Sequence, residues 1–469
     1  PFTERTTDND IVHVETEIEK THYGMKKAKE RFIEYLAIRK LNPEANGTVI
    51  LLDGPAGTGK TTLAQSVAKA LGRKCERISM GGCNDASFIK GHSRTYTGSR
   101  HGRLIAAMAA TGVKNPVIIL DEIEKVTTGI CGDPEGAMLE LLDQNQNVTF
   151  TDTYLGFGFD MSEVLFICTS NDADLIYPAL LDRMELITIE GYNRTEKLKI
   201  AEKYVIPKKS KAIGIYGETI SRPVLNHIIN GYTFEAGIRG LEKAIDTLFR
   251  RVAVDAAKGK YTKVTKALVT KRLGIPYEEE KPMEHRTSGI VTGLYYSTVG
   301  GGCLDLEAII TDKNAKDGDF EITGQIGGVM LESLHLVHSH MSANQTKYGC
   351  AKYLLQELHI HVHIPSGSTP KDGPSAGAAF ALLLASIAKD KPVRPGLAMT
   401  GECTLTGRIT AIGGVDKKCA GAVRMGMTDI ILPEANRRDY EELPKNVKKS
   451  ARYHFVKTVE EVIEIGLNY

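Results

Sequence analysis

The sequence has no excess of either charge, with 59 Lys and Arg against 58 Asp and Glu. A near-neutral balance gives no electrostatic footprint for nucleic acid or an anionic membrane, so neither is indicated as a partner, although a local patch stays open. The chain also lacks the run of about 20 apolar residues needed to span a bilayer. Its longest apolar stretch, Ala376–Ala388, is too short. No secretory signal, internal repeat or low-complexity tract is visible. None of the eight cysteines (Cys75, Cys83, Cys131, Cys168, Cys303, Cys350, Cys403 and Cys419) forms a Cys-x-x-Cys pair. Several sit in apolar runs, which favours small buried thiols in a reducing compartment over disulfides or a zinc site. The expected location is the cytoplasm. The first residue is Pro1 rather than Met, so a lost targeting segment and a mitochondrial matrix location stay open.

What is present is ordinary for a globular protein: 42% hydrophobic and 25% charged residues. Single cores stop growing near ~250–300 residues, so 469 residues predict about three domains. Residues 11–42 read as helical, with charges interleaved among apolar positions. Short apolar runs then alternate with helical ones: Val49–Leu52, Thr61–Leu71, Val117–Leu120 and Val164–Thr169. That alternation predicts an α/β fold with a parallel sheet covered on both faces. From Thr195 to Arg272 the pattern turns helical, clearest over Val224–Asn230 and Gly237–Lys258. A polar stretch, Glu278–His285, reads as a linker to a second α/β domain with Gly-rich features at Val299–Gly302 and Ile412–Gly414. The expected boundaries are 1–45 (helical linker), 46–190 (α/β), 191–275 (small helical domain) and 276–469 (C-terminal α/β).

Gly54-Pro55-Ala56-Gly57-Thr58-Gly59-Lys60-Thr61 fits G-x-x-x-x-G-K-[ST] between a strand and a helix. Glycines let backbone N–H groups close around phosphates, Lys60 adds a point charge, and Thr61 offers a hydroxyl to Mg²⁺. Val117-Ile-Ile-Leu-Asp121-Glu122 is an apolar strand ending in two carboxylates. Behind a phosphate loop, that places Asp121 near the metal and leaves Glu122 to polarise a water. The expected cofactors are ATP and Mg²⁺.

With both motifs in place, the sequence resembles the AAA+ ATPases. The resemblance implies that Asn171 is a polar sensor that helps position the water. It makes Arg183, in Leu180-Leu-Asp-Arg, an arginine finger reaching a neighbouring subunit, and Arg239, in Ala236-Gly-Ile-Arg, a second sensor on a helical lid. A finger acting in trans implies a homo-oligomeric ring, with a hexamer expected. Each arginine could instead be a surface ion pair. Tyr96, in Gly91-His-Ser-Arg-Thr-Tyr-Thr-Gly98, would line a pore and grip substrate, with Ile130 in a second pore loop. The plainer alternative for Tyr96 is an amphipathic surface residue.

Lys371-Asp372-Gly-Pro-Ser375-Ala-Gly377 precedes an apolar helix. A serine there can be a plain helix cap, or a nucleophile whose oxyanion is stabilised by free N–H groups of that helix. The segment also reads as G-x-S-x-G, but the strand His359–Ile364 ends well before the turn and His454 is the one histidine downstream. A lysine can activate a serine instead, provided burial lowers it from ~10.4 to ~7–8. Lys418 fits, because helical spacing puts Val415, Lys418, Cys419 and Ala422 on one face. The alternative is a lysine snorkelling from a core helix.

Ser375 and Lys418 are similar to the Ser–Lys dyad of the Lon proteases. Met399-Thr-Gly-Glu402, Leu405-Thr-Gly407, Ile412-Gly-Gly414, Val291-Thr-Gly-Leu294 and Thr323-Gly-Gln-Ile-Gly327 also fit the Lon pattern, as does His22-Tyr23-Gly24 at an adenine-contacting position. The likeness implies an ATP-dependent serine endopeptidase that unfolds, threads and degrades misfolded or regulatory proteins. Thr400 would orient Lys418, and Asp372, Glu402 and His361 would sit around the dyad. His359, His361 and His363 alternate on one strand, where two His at i, i+2 could bind zinc, although this chemistry needs no metal there. Departures from the family are Ala56 for a usual proline, Thr97 for a usual aliphatic, and the lack of the long N-terminal region that helps capture substrates. Competing readings are an unfoldase with a silent peptidase half and a DNA-processing ATPase.

Overall fold

The computed structural model describes residues 4–468 apart from 43–48, 128–131, 144, 216, 278–281, 283–286, 298–299, 313–319, 350–354, 356–357 and 366–370. Ile130, Cys131, Val299, Cys350 and most of the expected linker therefore lie outside the described residues. The chain divides into two compact units, Pro1–Tyr277 and Glu278–Tyr469.

The first unit opens with helices Ile11–Thr21 and Lys26–Leu41. Its strands are β1 (Val49–Asp53), β2 (Cys75–Ser79), β3 (Val117–Asp121), the short pair β4 (Phe150–Thr151) and β5 (Gly158–Phe159), β6 (Leu165–Ser170) and β7 (Met184–Thr188). Five of them form a parallel sheet in the order β2-β3-β6-β1-β7. β1, β3 and β6 are buried almost throughout because helices cover both faces, so their sequences read as unbroken apolar runs. Two clusters fill the two sides, one holding Phe32, Leu63 and Ile167, the other Met108, Leu141 and Phe166. The polar ends of β1, β3 and β6 carry Asp53, Asp121 and Ser170, where the chain turns into its loops. After β7 the unit is helical, with Arg222–Tyr232 and Arg239–Ala257 packed around Leu225, Ile228, Leu241 and Leu248.

The second unit contains β8 (Ile290–Ser297), β9 (Gly300–Asp312), β10 (Phe320–Thr323), β11 (His359–His363), β12 (Leu397–Met399), β13 (Glu402–Cys403), β14 (Ile409–Thr410), β15 (Asp429–Pro433) and β16 (Arg452–Val456). Seven of them form a mixed sheet in the order β10-β11-β9-β8-β12-β15-β16, and β13 pairs β14. The helix Gly377–Ala388 is buried from Gly377 to Ile387, as its all-apolar sequence demands. The helix Val415–Arg424 is amphipathic and buries Val415, Lys418, Cys419 and Ala422, the four residues that helical spacing aligned. The six described cysteines are free thiols.

Candidate active sites

In the first unit the phosphate loop leaves β1 and enters the helix Lys60–Leu71. Lys60 is drawn inward, and its Nζ donates to the carbonyls of Gly54 (2.5 Å) and Pro55 (2.9 Å) and to Oδ1 of Asn171 (3.2 Å). The N–H groups of that helix's first turn have no intrahelical acceptor, so they remain for an anion. The helical segment closes over the loop. Ile238 N–H donates to the Gly57 carbonyl (3.1 Å), Tyr192 OH donates to the Thr58 carbonyl (2.6 Å), and the Arg239 stem lies over Gly57. Contact this close needs Gly237, because a Cβ there would stand 2.4 Å from the Gly57 carbonyl carbon.

Asp121 ends β3 beside the loop. Its Oδ1 accepts from Thr61 Oγ1 (2.8 Å) and Thr169 Oγ1 (2.6 Å), while its Oδ2 takes the Arg77 guanidinium. Burial pushes this carboxyl up, but the hydrogen bonds from Thr169, Thr61 and Arg77 outweigh it and hold the group below its usual pKa. Thr61 Oγ1 and Asp121 Oδ1 are the hard oxygen donors that suit Mg²⁺. Glu122 has a left-handed backbone (φ 61°) and its side chain pairs with Lys125 (2.6 Å). Glu124 instead accepts from Asn171 Nδ2 (2.8 Å). Arg183 bonds within its own chain, to Asp143 (3.3 Å) and the Ala179 carbonyl (2.8 Å).

His22 lies at the edge of this pocket, with Nε2 3.2 Å from Thr62 Oγ1, and burial drives its pKa down to about 4. Tyr23 OH accepts from Lys199 (2.7 Å), and the ammoniums of Lys199 and Lys203 lie 5.1 and 5.6 Å from its ring.

Neither Arg77 nor Thr169 was expected at the site. Arg77 pairs with Ile119, two residues before Asp121, so both side chains emerge on the same sheet face. That relation depends on β2 lying next to β3.

In the second unit Ser375 sits half-buried in the 3₁₀ turn Pro374–Ala376. The segment Thr400–Gly401, leaving β12, is zipped to this turn. Gly401 N–H donates to the Ser375 carbonyl (3.0 Å), and Ala378 N–H donates to the Gly401 carbonyl (2.9 Å). Thr400 Oγ1 donates to the Ser375 carbonyl (3.3 Å) and accepts from Lys418 Nζ (3.0 Å). Lys418 is 1% exposed, and among the described residues no carboxylate pairs with it. Burial pushes its ammonium down to about 8. The Tyr296 ring lies over Nζ at 5.5 Å, an aromatic wall that sequence reading missed. Helix Val415–Arg424 approaches β9 so closely that a Cβ on Gly301 would lie 2.0 Å from the Lys417 carbonyl oxygen.

Two details complete the geometry. Ser375 and Lys418 are not hydrogen-bonded to each other; Thr400 stands between the lysine and the serine's backbone. Nor are the first N–H groups of the following helix free, because Gly377 donates to Pro374 and Ala378 to Gly401. The helix start is thus already capped by the protein's own carbonyls.

Asp372 is engaged elsewhere than at the lysine. Its Oδ1 accepts from Met330 N–H and Gly373 N–H (2.8 and 2.9 Å), so it caps the helix Gly328–Asn344, whose own N-cap Gly327 has no side chain. Glu402 begins β13, whose neighbour Cys403 packs on Gly377. His361 and His363 meet at Thr323 Oγ1 (3.1 and 2.8 Å), with Glu321 3.8 Å from His361, and neither imidazole is bonded to Ser375 or Lys418.

Comparison with known proteins finds three family matches along the chain. Residues 50–192 match the family described as ATPases associated with various cellular activities, and residues 217–265 match the Lon protease AAA+ ATPase lid domain. Residues 263–469 match the Lon protease (S16) C-terminal proteolytic domain. The whole chain is 45% identical to a Lon protease of Syntrophus aciditrophicus, covering 60% of that protein. It is 44% identical, again over its whole length, to one of Aquifex aeolicus, covering 59%. The chain therefore spans about three-fifths of the length of these curated relatives. From the ATPase, lid and proteolytic matches together with these relatives, the chain belongs to the Lon protease family.

Proposed function

We propose that this chain carries the ATPase and peptidase parts of an ATP-dependent serine endopeptidase that unfolds, threads and degrades protein substrates. The observation that carries this reading is Lys418, buried with no counter-charge among the described residues and linked through Thr400 to the segment bearing Ser375. A lysine in that setting gives up its proton near neutral pH, as a general base must.

In the proposed reaction, Ser375 Oγ attacks the peptide carbonyl and Lys418 Nζ takes the hydroxyl proton. The lysine returns that proton to the leaving amine, and water then releases the acyl-enzyme. For this step the 3₁₀ turn Pro374–Ala376 shifts so that Oγ replaces the Thr400 hydroxyl as partner of Nζ. Reopening the same turn frees the Gly377 N–H, now held by Pro374, for the oxyanion. Thr400 is the positioning residue, and Asp372 sets the loop from its cap on Gly328–Asn344.

In the ATPase half, Lys60 and the first-turn N–H groups would hold phosphate, and Thr61 and Asp121 would hold Mg²⁺. Bound Mg²⁺–ATP supplies the free energy of phosphoryl transfer to water. Glu122 polarises that water, Asn171 and Arg239 report on the nucleotide, and Arg183 acts on a neighbouring subunit of a homohexameric ring. His22 and Tyr23 would contact the base. Tyr96 grips an extended substrate. Protein quality control in the cytoplasm is the setting this activity serves.

The test is hydrolysis of a fluorogenic peptide and of casein, with and without Mg²⁺–ATP, by the parent chain and Ser375→Ala. Loss of both hydrolyses with ATP turnover retained supports the assignment. Equal hydrolysis by the two proteins removes Ser375 from it.

A further inference from the structure

The hairpin ahead of β6 has no role in the reading above. It consists of β4 and β5 joined by residues 152–157, and Phe157, the last residue of that connection, is 58% exposed between Gly156 and Gly158. A buried carboxylate ties this hairpin to the segment that carries Tyr96. Asp152 has 0% exposure; its Oδ1 accepts from the N–H groups of Tyr154 (2.9 Å) and Leu155 (3.0 Å), and its Oδ2 from Gly102 N–H (2.7 Å). Further bonds run the same way. Arg94, two residues before Tyr96, donates to the Tyr154 carbonyl (2.6 Å) and holds its guanidinium 5.1 Å from the Tyr154 ring centre. Thr153 N–H donates to the Lys90 carbonyl (2.6 Å), and the His101 ring meets the Tyr154 ring edge-on.

Burying a carboxylate is costly unless its oxygens are fully bonded, and here every described bond goes to backbone of one loop or the other. The result fixes residues 90–102 and 150–159 to each other and leaves two rings outward, Tyr96 (68% exposed) and Phe157. A single exposed phenylalanine needs no explanation. Two exposed aromatic rings, one on each of two loops that a buried charge joins, suit a partner with no fixed shape. Aromatic rings bind varied side chains at small entropic cost, so they suit an unfolded chain whose sequence is not read.

We infer that Phe157 is a second aromatic contact to the unfolded polypeptide, acting beside Tyr96. The inference rests on the proposed reading of Tyr96 as a substrate-gripping residue. The experiment places the photo-crosslinker p-benzoylphenylalanine at 157, at 96 or at the exposed lid residue Tyr261 in the whole chain, and irradiates with labelled casein and ATPγS. Casein affinity of Phe157→Ser and Phe157→Leu is measured alongside by fluorescence anisotropy. Crosslinks at 96 and 157 but not at 261 are expected. So is binding weakened about three- to tenfold by serine, as the loss of one aromatic contact of ~1 kcal/mol implies, and less by leucine. Crosslinking at 96 alone, with serine leaving affinity unchanged, overturns the role of Phe157 and keeps that of Tyr96. Crosslinking at neither position overturns both.

Discussion

Lys60 and Lys418 are both taken out of water, and their surroundings set them apart. Burial lowers the pKa of each, but Asp53 and Glu124 pull Lys60 back toward its charged form. Lys418 has no such carboxylate among the described residues and falls to about 8. Peptide hydrolysis should therefore rise with pH and level off above about 8, as seen in kcat/KM between pH 6 and 9.5; a flat profile rejects the lysine as base. The same shift costs stability. The folded-state pKa lies below the unfolded value, so the penalty is full below about pH 8 and fades as pH rises toward the unfolded value. At pH 7 it amounts to roughly 3 kcal/mol. Lys418→Met should then abolish hydrolysis and stabilise the fold by about 1–3 kcal/mol in denaturant titrations at pH 7. Arg77 yields a further expectation. Its guanidinium, half exposed, neutralises the Asp121 carboxylate through Oδ2, beside the Oδ1 that a divalent cation would seek. Arg77→Met should lower the Mg²⁺ needed for half-maximal ATP hydrolysis about two- to fivefold, read from a Mg²⁺ titration.

At the scale of elements, helices hold the reactive loops by bonds that cross from one segment to another. The N-terminus of Gly328–Asn344 is capped by Asp372 from a distant loop, so Asp372→Ala should cost about 0.5–2 kcal/mol in thermal unfolding, and Asp372→Asn much less. Such crossings explain what the sequence could and could not tell. The phosphate loop was legible because its chemistry lies in eight consecutive residues, and β1, β3 and β6 because burial on both faces makes them apolar throughout. The buried face of Val415–Arg424 was legible from 3.6-residue spacing. The capped Ala378 N–H near Ser375 was not, since its acceptor Gly401 arrives from another segment. Nor was the π-helical turn Ala201–Val205 within the expected helical region. Pro207 just beyond it cannot donate to the preceding turn, which favours the wider winding, and local periodicity carries no trace of that.

For the whole molecule, the proposal of a ring makes a specific demand on Arg183, whose guanidinium is now satisfied by Asp143 and Ala179 of the same chain. Acting on a neighbour requires that ion pair to open. Arg183→Ala should reduce ATP turnover by at least about tenfold while nucleotide affinity, measured separately by fluorescence titration, falls far less. Native mass spectrometry of the parent chain with nucleotide reads the subunit number directly, and a monomer under all conditions would remove the finger from the scheme.

The zipper around Ser375 has a practical side. Gly401 and Thr400 hold residue 375 by its carbonyl, and none of those bonds involves the hydroxyl. Replacing serine with alanine thus deletes the proposed nucleophile while every neighbour keeps its moorings. Under the proposed reading, a mutant of that kind would still take in protein substrates and never cut them, so it could serve as bait for identifying what this chain acts on.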